Sequence, residues 1–222
     1  MQIVVPHEDN FLRDDIERVA KFAVHDHCAD QRMARIAVNK VLREDEARNS
    51  TWENLCPPEF QKKLDPKAQG YHQSRLDRIM AWKYGETGLL VRGPTHRCKT
   101  RLCYQLLYRE HLAGRKVAAH MHSDLRRSIS ALASTGSSDL AKFIIRLVKV
   151  DILLIDDLGK GKPTPTADES LFALIDGRNR ECLPTIFTMN GTLDTLAANI
   201  TLEYRDPIIS RIQLKTTEVV FS

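Results

Sequence analysis

The sequence predicts an α/β chain built on a doubly wound parallel sheet, and three observations carry that expectation. Short apolar runs without polar alternation recur at Leu89-Leu90-Val91, Val117-Ala118-Ala119, Ile152-Leu153-Leu154-Ile155, Ile186-Phe187-Thr188 and Val219-Val220-Phe221, the pattern of strands buried on both faces. Helical periods separate most of them: Leu102, Leu106 and Leu107 share one face, Ile144, Ile145 and Val148 another, and Leu171, Leu174 and Ile175 a third. The 222 residues, 42% of them hydrophobic, supply the core of one main domain with a small appendage. Sheets of this kind bind ligands beyond the carboxyl ends of their strands, so a site is expected just after these runs.

The segment ahead of the sheet reads differently. Leu12, Ile16, Val19 and Ala23, then Met33, Ala37, Val41 and Leu42, follow helical spacing and predict two amphipathic helices. Between Arg48 and Gly70 the chain turns polar and irregular, with Cys56-Pro57-Pro58 and Asp65-Pro66, which predicts an unpacked lead-in and a boundary near residue 68. Residues 1–68 are therefore expected to dock a partner and residues 69–222 to form the sheet domain. Ser74 is placed as the cap of a short helix carrying Leu76, Ile79, Met80 and Trp82.

Composition excludes several classes. No apolar run approaches the roughly 18 residues of a membrane span, and the first residues lack a basic region followed by an apolar stretch, so a cytoplasmic protein without a membrane partner is expected. Five cysteines without paired C-x-x-C spacing argue against a disulfide framework or a zinc module. The net charge of +4 permits nucleic-acid binding without demanding it.

Directly after the first strand stands Gly93-Pro94-Thr95-His96-Arg97-Cys98-Lys99-Thr100. Against G-x-x-x-x-G-K-[ST] it matches the first glycine, the lysine and the hydroxyl residue, with Cys98 where the second glycine belongs. In such a loop backbone N–H groups converge on phosphates, Lys99 reaches the outer phosphates and Thr100 ligates magnesium. A bland strand-turn-helix with a lysine at the helix start is the competing reading. Val150-Asp151-Ile152-Leu153-Leu154-Ile155-Asp156-Asp157 has the form of a Walker B strand, with Asp156 placed to hold magnesium and Asp157 to orient or deprotonate the attacking water. Asn190 ends the next apolar run beside the expected Asp157, where an amide positions water or senses the terminal phosphate; an ordinary Asn-Gly turn with Gly191 is the alternative.

These residues, with Arg101, Leu158-Gly159 and Pro207-Ile208-Ile209-Ser210-Arg211-Ile212, resemble the DnaC/IstB branch of the AAA+ ATPases over roughly residues 70 to 222. The resemblance implies a P-loop NTPase sheet of order 5-1-4-3-2, ATP and Mg2+ as ligands, Gly93 through Arg101 around the nucleotide, and Asn190 as sensor 1. It also implies that Arg211 reaches the phosphate of a neighbouring subunit in an ATP-dependent homo-oligomer, with Arg178 a second intersubunit candidate. Helicase loading and transposition help are the roles it implies, with a replicative helicase or a transposase as protein partner and DNA as a further one. The branch's glycine is Cys98 here, and the sequence reaches Ser222 directly after the fifth strand, so a full lid is not expected. A degenerate P-loop scaffold without hydrolysis and a small-molecule kinase stand as competing readings.

Two histidine clusters, His25-Asp26-His27-Cys28 and His120-Met121-His122, lack complementary ligands and are expected to be structural. Lys160, Lys162, Arg126 and Arg127 are candidates for a DNA-facing edge, whereas 6% aromatic residues give little support to base-stacking platforms.

Overall fold

A computed structural model describes residues 40, 42, 43, 45, 51–62, 65, 67, 71–134 and 137–221. The chain runs α1 (Trp52–Leu55), α2 (Pro58–Gln61), α3 (Gln73–Met80), β1 (Gly88–Arg92), α4 (Lys99–Leu112), β2 (Val117–Met121) and α5 (His122–Ala133). It continues through α6 (Ser137–Lys149), β3 (Ile152–Leu158), α7 (Pro165–Arg180), β4 (Thr185–Met189), α8 (Leu193–Ala197), α9 (Leu202–Lys215) and β5 (Thr216–Val220). The five strands form one sheet of order β2-β3-β4-β1-β5, every pair parallel. This is the predicted 5-1-4-3-2 order, and it places β1, β3 and β4 side by side at the centre.

Strand geometry explains why the runs carry no polar alternation. Successive side chains point to opposite faces, and here both faces are covered. Leu89 and Val91 of β1, Ile152 and Leu154 of β3 and Ile186 of β4 pack with α3 and α4 through Ile79, Leu102 and Leu106. Leu90, Leu153, Ile155 and Phe187 face the other way, onto α5, α6 and α7 through Ile129, Phe143 and Leu174. The two layers meet at the central strands, which fixes where those strands end and hence where the site lies.

Several expectations change. The Arg48–Gly70 stretch is not an unpacked lead-in: it contains α1 and α2, Leu55 and Cys56 are buried, and the Trp52 ring lies 4.9 Å from Tyr108. The Thr51 side chain, accepting the Asn54 N–H, starts α1 and Pro58 starts α2, and ring contacts with α4 anchor both, Trp52 against Tyr104, Tyr108 and His111 and Phe60 against Tyr104. α3 is capped by the backbone at His72 rather than by Ser74, and Trp82 lies beyond its end. Ile145 is exposed because the buried face of α6 runs through Phe143 and Leu147 instead. β5 starts at Thr216, earlier than its apolar run, because backbone pairing with β1 extends over Gly88–Arg92 regardless of side-chain polarity. The two N-terminal helices lie outside the described residues apart from Leu42, which packs against the α5–α7 layer.

Arg178 is no intersubunit contact. It is fully buried in α7 and donates to Thr185 Oγ1 and to the carbonyls of Leu147, Val148, Val150, Asp151 and Pro184. A planar fork of five N–H donors suits that many acceptors. The side chain therefore clamps the end of α6 and the lead-ins to β3 and β4 to one helix.

Candidate functional site

The loop after β1 turns on a residue that only glycine fits. Gly93 has φ 150°, and a Cβ there would lie 2.2 Å from the Phe221 carbonyl oxygen. Its N–H donates to Met189 O at 3.3 Å, which ties the loop to the end of β4. His96 and Cys98 both have left-handed φ, 57° and 58°. Cys98 is thus in the conformation for which the motif uses glycine, at a cost of roughly 1–2 kcal/mol for a residue with a Cβ. α4 begins at the next residue, so the loop delivers Lys99 and Thr100 at the positive end of a fourteen-residue helix.

Lys99 is 6% exposed, and its ammonium uses three donors: to Gly93 O (2.9 Å), Pro94 O (2.7 Å) and Asn190 Oδ1 (2.8 Å). Burial pushes its pKa down, while Asp157 and Asp156 push it back up. Thr100 Oγ1 donates to Asp156 Oδ1 at 2.8 Å, joining the start of α4 to β3. The Thr188 hydroxyl donates to the same carboxylate and accepts the Asp157 N–H at 2.9 Å. Burial raises the Asp156 pKa against the lowering effect of these two hydroxyls. Asp157 sits where β3 departs from its register with β4, at φ 54°. That kink turns its side chain toward solvent, where it accepts from Asn190 Nδ2 (3.2 Å) and pairs with Lys160 (2.8 Å).

Five of the expected site residues, Lys99, Thr100, Asp156, Asp157 and Asn190, thus form one bonded group, with Gly93 in its backbone. Asn190 is the bridge, since its amide accepts from Lys99 and donates to Asp157. Pro94, Thr95 and His96 form the exposed outer face of the loop. Three expected residues lie elsewhere. Arg97 lines a separate cleft near α3. Arg101 Nη2 donates to Lys62 O, 2.9 Å away, anchoring the segment after α2. Arg211, on α9, pairs with Asp176 of α7 at 2.6 Å and lies over the Phe172 ring.

Two contributions escape sequence reading. Thr188 looks like an ordinary strand residue, although a hydroxyl ending an apolar strand beside β3 is a usable signal. The other is the support of the turn after Asp157. His122 is buried, with the Gly159 N–H 3.0 Å from Nδ1 and Arg126 Nε 3.1 Å from Nε2. Arg126 is itself buried and ion-paired with Asp168 at 2.5 Å, so it is not a DNA-facing residue; Arg127, Lys160 and Lys162 are exposed. His120 Nε2 lies 3.1 Å from Asp45 Oδ1, and among the described residues no cluster of potential metal ligands occurs. The His25–Cys28 cluster lies outside the described residues. Nor is any helix among them long and apolar enough to cross a membrane.

Burial and the neighbouring Arg126 push the His122 pKa down to about 3 from its ordinary 6.5. The folded state holds the ring neutral while the unfolded chain protonates it, so stability is full above pH 6.5 and falls as pH drops from 6.5 toward 3. Urea denaturation at pH 7 and pH 5 should show that loss, with a slope of up to about 1.4 kcal/mol per pH unit from this ring. His122→Gln should flatten it; an unchanged slope in the variant contradicts the assignment.

No protein-family model matches the chain, and no curated protein does. Solved structures do. DnaI matches with a TM-score of 0.61 at 20% identity, covering 75% of this chain and 95% of that one. The DnaC helicase loader matches at 0.59 and 19%, covering 75% and 100%. AMPPCP-bound DnaA from Aquifex aeolicus matches at 0.55 and 14%, covering 71% and 51%. At these identities the likeness is one of fold: the parallel five-stranded sheet and its flanking helices are shared with DnaI, the DnaC helicase loader and DnaA.

Proposed function

We propose that this chain binds Mg-ATP at the loop Gly93–Thr100 and uses it, in the manner of a helicase loader or transposition helper, to control assembly on a DNA-replication or transposition partner. The observation that carries the reading is the bonded group of Lys99, Thr100, Asp156, Asp157 and Asn190, assembled from the ends of three adjacent parallel strands. The matching structures include a helicase loader and a replication initiator bound to AMPPCP and single-stranded DNA, and these support both parts of it. Single-stranded DNA, present with one DnaA neighbour, is a candidate ligand for the exposed Lys160–Lys162 edge.

The donor set fits the ligands. The Thr100 hydroxyl and Asp156 carboxylate form an all-oxygen pair suited to a hard cation such as magnesium, which when bound neutralises charge on the terminal phosphates. Lys99 holds the outer phosphates by giving up its bonds to the Gly93 and Pro94 carbonyls. Thr188 keeps the Asp156 carboxylate oriented. Asn190 positions the attacking water, and Asp157 accepts its proton once Lys160 releases the carboxylate. Arg211, tied to Asp176 within its own chain, would have to leave that pair to reach a neighbour's phosphate, which couples ATP-dependent oligomerisation to release of the ion pair.

A second reading, a P-loop scaffold that binds nucleotide weakly and does not hydrolyse it, is favoured by the left-handed Cys98. Cys98→Gly separates the two. Relief of the strain should raise Mg-ATP turnover by about tenfold, the equivalent of about 1.4 kcal/mol, and Asp157→Asn should abolish it in either background. No turnover in wild type or Cys98→Gly selects the scaffold. Co-elution of the full chain with a replicative helicase, dependent on Mg-ATP, tests the partner; co-elution indifferent to nucleotide counts against ATP control.

A further inference from the structure

The turn after β3 sets an exposed cation on the carboxylate that is proposed to accept the water proton. Lys160 Nζ donates to Asp157 Oδ2 at 2.8 Å, and 56% of the lysine side chain is exposed against 21% of the aspartate side chain. The backbone beneath this pair is pinned. Lys160 N–H donates to Asp157 O at 3.2 Å, Gly159 N–H to His122 Nδ1 at 3.0 Å, and the Lys162 carbonyl accepts from Arg126 Nη1 at 2.9 Å. Gly161, at φ 102°, is pressed so close to α5 that a Cβ there would lie 3.2 Å from Arg126 Cδ. Rotation about the lysine's own side-chain bonds therefore frees Asp157 without moving the turn.

The same packing sets Lys160 and Lys162 beside α5, where Arg127 is also exposed and pairs with Asp124. Two of these three cations are thus held by a carboxylate three residues away, in exposed pairs that are worth little in water. A row of phosphodiester oxygens offers each cation a replacement acceptor, and the counterions released from the strand favour the exchange. No base need be read or stacked, in keeping with 6% aromatic residues.

We infer that the phosphate backbone of a nucleic-acid strand takes Lys160 from Asp157, so that strand binding at this edge uncovers the Asp157 carboxylate. Asn190 Nδ2, 3.2 Å from Asp157 Oδ1, keeps the uncovered group aimed at the site. The strand and the carboxylate compete for one ammonium, so the pair weakens strand binding by the factor by which the strand weakens the pair. The consequence for turnover rests on the proposed Mg-ATP reading. The exchange itself does not, because nucleotide takes no part in it.

The test is a double-mutant cycle read by fluorescence anisotropy of labelled oligothymidylate on the full chain, at low salt and without nucleotide. The wild type is expected to bind. Asp157→Asn, whose amide tolerates a left-handed backbone, should bind about two- to fivefold more tightly, the gain that release of an exposed ion pair implies. Lys160→Gln should bind more weakly, with a slope of log affinity against log salt shallower by about 0.7. In the Lys160→Gln background Asp157→Asn should change nothing, which separates the exchange from a general gain of positive charge. With Mg-ATP present, oligothymidylate should stimulate turnover of the wild type and leave that of Lys160→Gln, already raised, unaltered. Absence of turnover in every variant removes the ATP reading, and the binding cycle alone then decides the exchange. Four results overturn the inference: no oligothymidylate binding by the wild type, equal affinities of the wild type and Asp157→Asn, the same gain from Asp157→Asn with and without Lys160, or equal stimulation of the wild type and Lys160→Gln.

Discussion

Arg178→Ala should lower the stability of the chain by at least about 3 kcal/mol, the largest effect expected of any single substitution outside the proposed nucleotide site. The reason is the number of groups left behind. Truncation leaves a cavity at a fully buried position and takes the shared donor from the carbonyls of Leu147, Val148, Val150, Asp151 and Pro184 and from the Thr185 hydroxyl. Each buried acceptor stripped of its donor costs about 1–3 kcal/mol unless water enters. Burial pushes the Arg178 pKa down to about 10, so the guanidinium stays charged at neutral pH and its bonds are charge-assisted. For a chain of this length, 3 kcal/mol corresponds to a fall in melting temperature of about 6–12 °C. Arg178→Lys should recover little, because an ammonium has three donors from one point and cannot span acceptors on α6, β3 and β4 together. A lysine variant that melts with the wild type would show that the charge, rather than the fork, matters.

Lys99→Ala should weaken Mg-ATP binding about 30- to 100-fold while leaving the fold intact. The ammonium has a charged interaction to offer phosphate, and loss of one or two such bonds costs about 2–3 kcal/mol. Its bonds to Gly93, Pro94 and Asn190 are offset by the cost of holding a buried charge, visible in its lowered pKa. Thermal stability of the apo variant should therefore stay within about 1 kcal/mol of the wild type. Equilibrium dialysis with labelled ATP measures the first quantity and a melting curve the second. A variant that binds ATP as tightly as the wild type removes Lys99 from the site.

The parts of the site that sequence discloses are those whose chemistry forces a local pattern. An apolar strand that must end in a carboxylate shows Asp156, a helix that must begin with a cation after a glycine turn shows Lys99, and the period of the strands places Asn190 beside both. What sequence conceals depends on backbone detail or distant pairing. Lys160 reaches Asp157 because Asp157 and Gly159 take positive φ, 54° and 91°, and no residue pattern specifies that turn. Arg178 reads as an intersubunit candidate because charged side chains are seldom fully buried; only the convergence of three segment ends supplies its acceptors. Arg126 is misread for the same reason, its counter-ion Asp168 lying 42 positions away. The packing of Trp52 and Leu55 escapes because prolines and polar residues dominate that stretch, while the aromatic residues that receive it lie on α4.

On the proposed reading, Thr100 and Asp156 would hold magnesium beside a nucleotide bound at Lys99. That reading is tested most directly by calorimetric titration of the full chain with ATP in the presence of magnesium and again with the metal chelated. One saturable equivalent of ATP is expected with magnesium, at an affinity at least about tenfold higher than without it, and Asp156→Asn should erase that difference. No saturable binding in either buffer, or binding to which magnesium and Asp156 are both indifferent, would contradict the account.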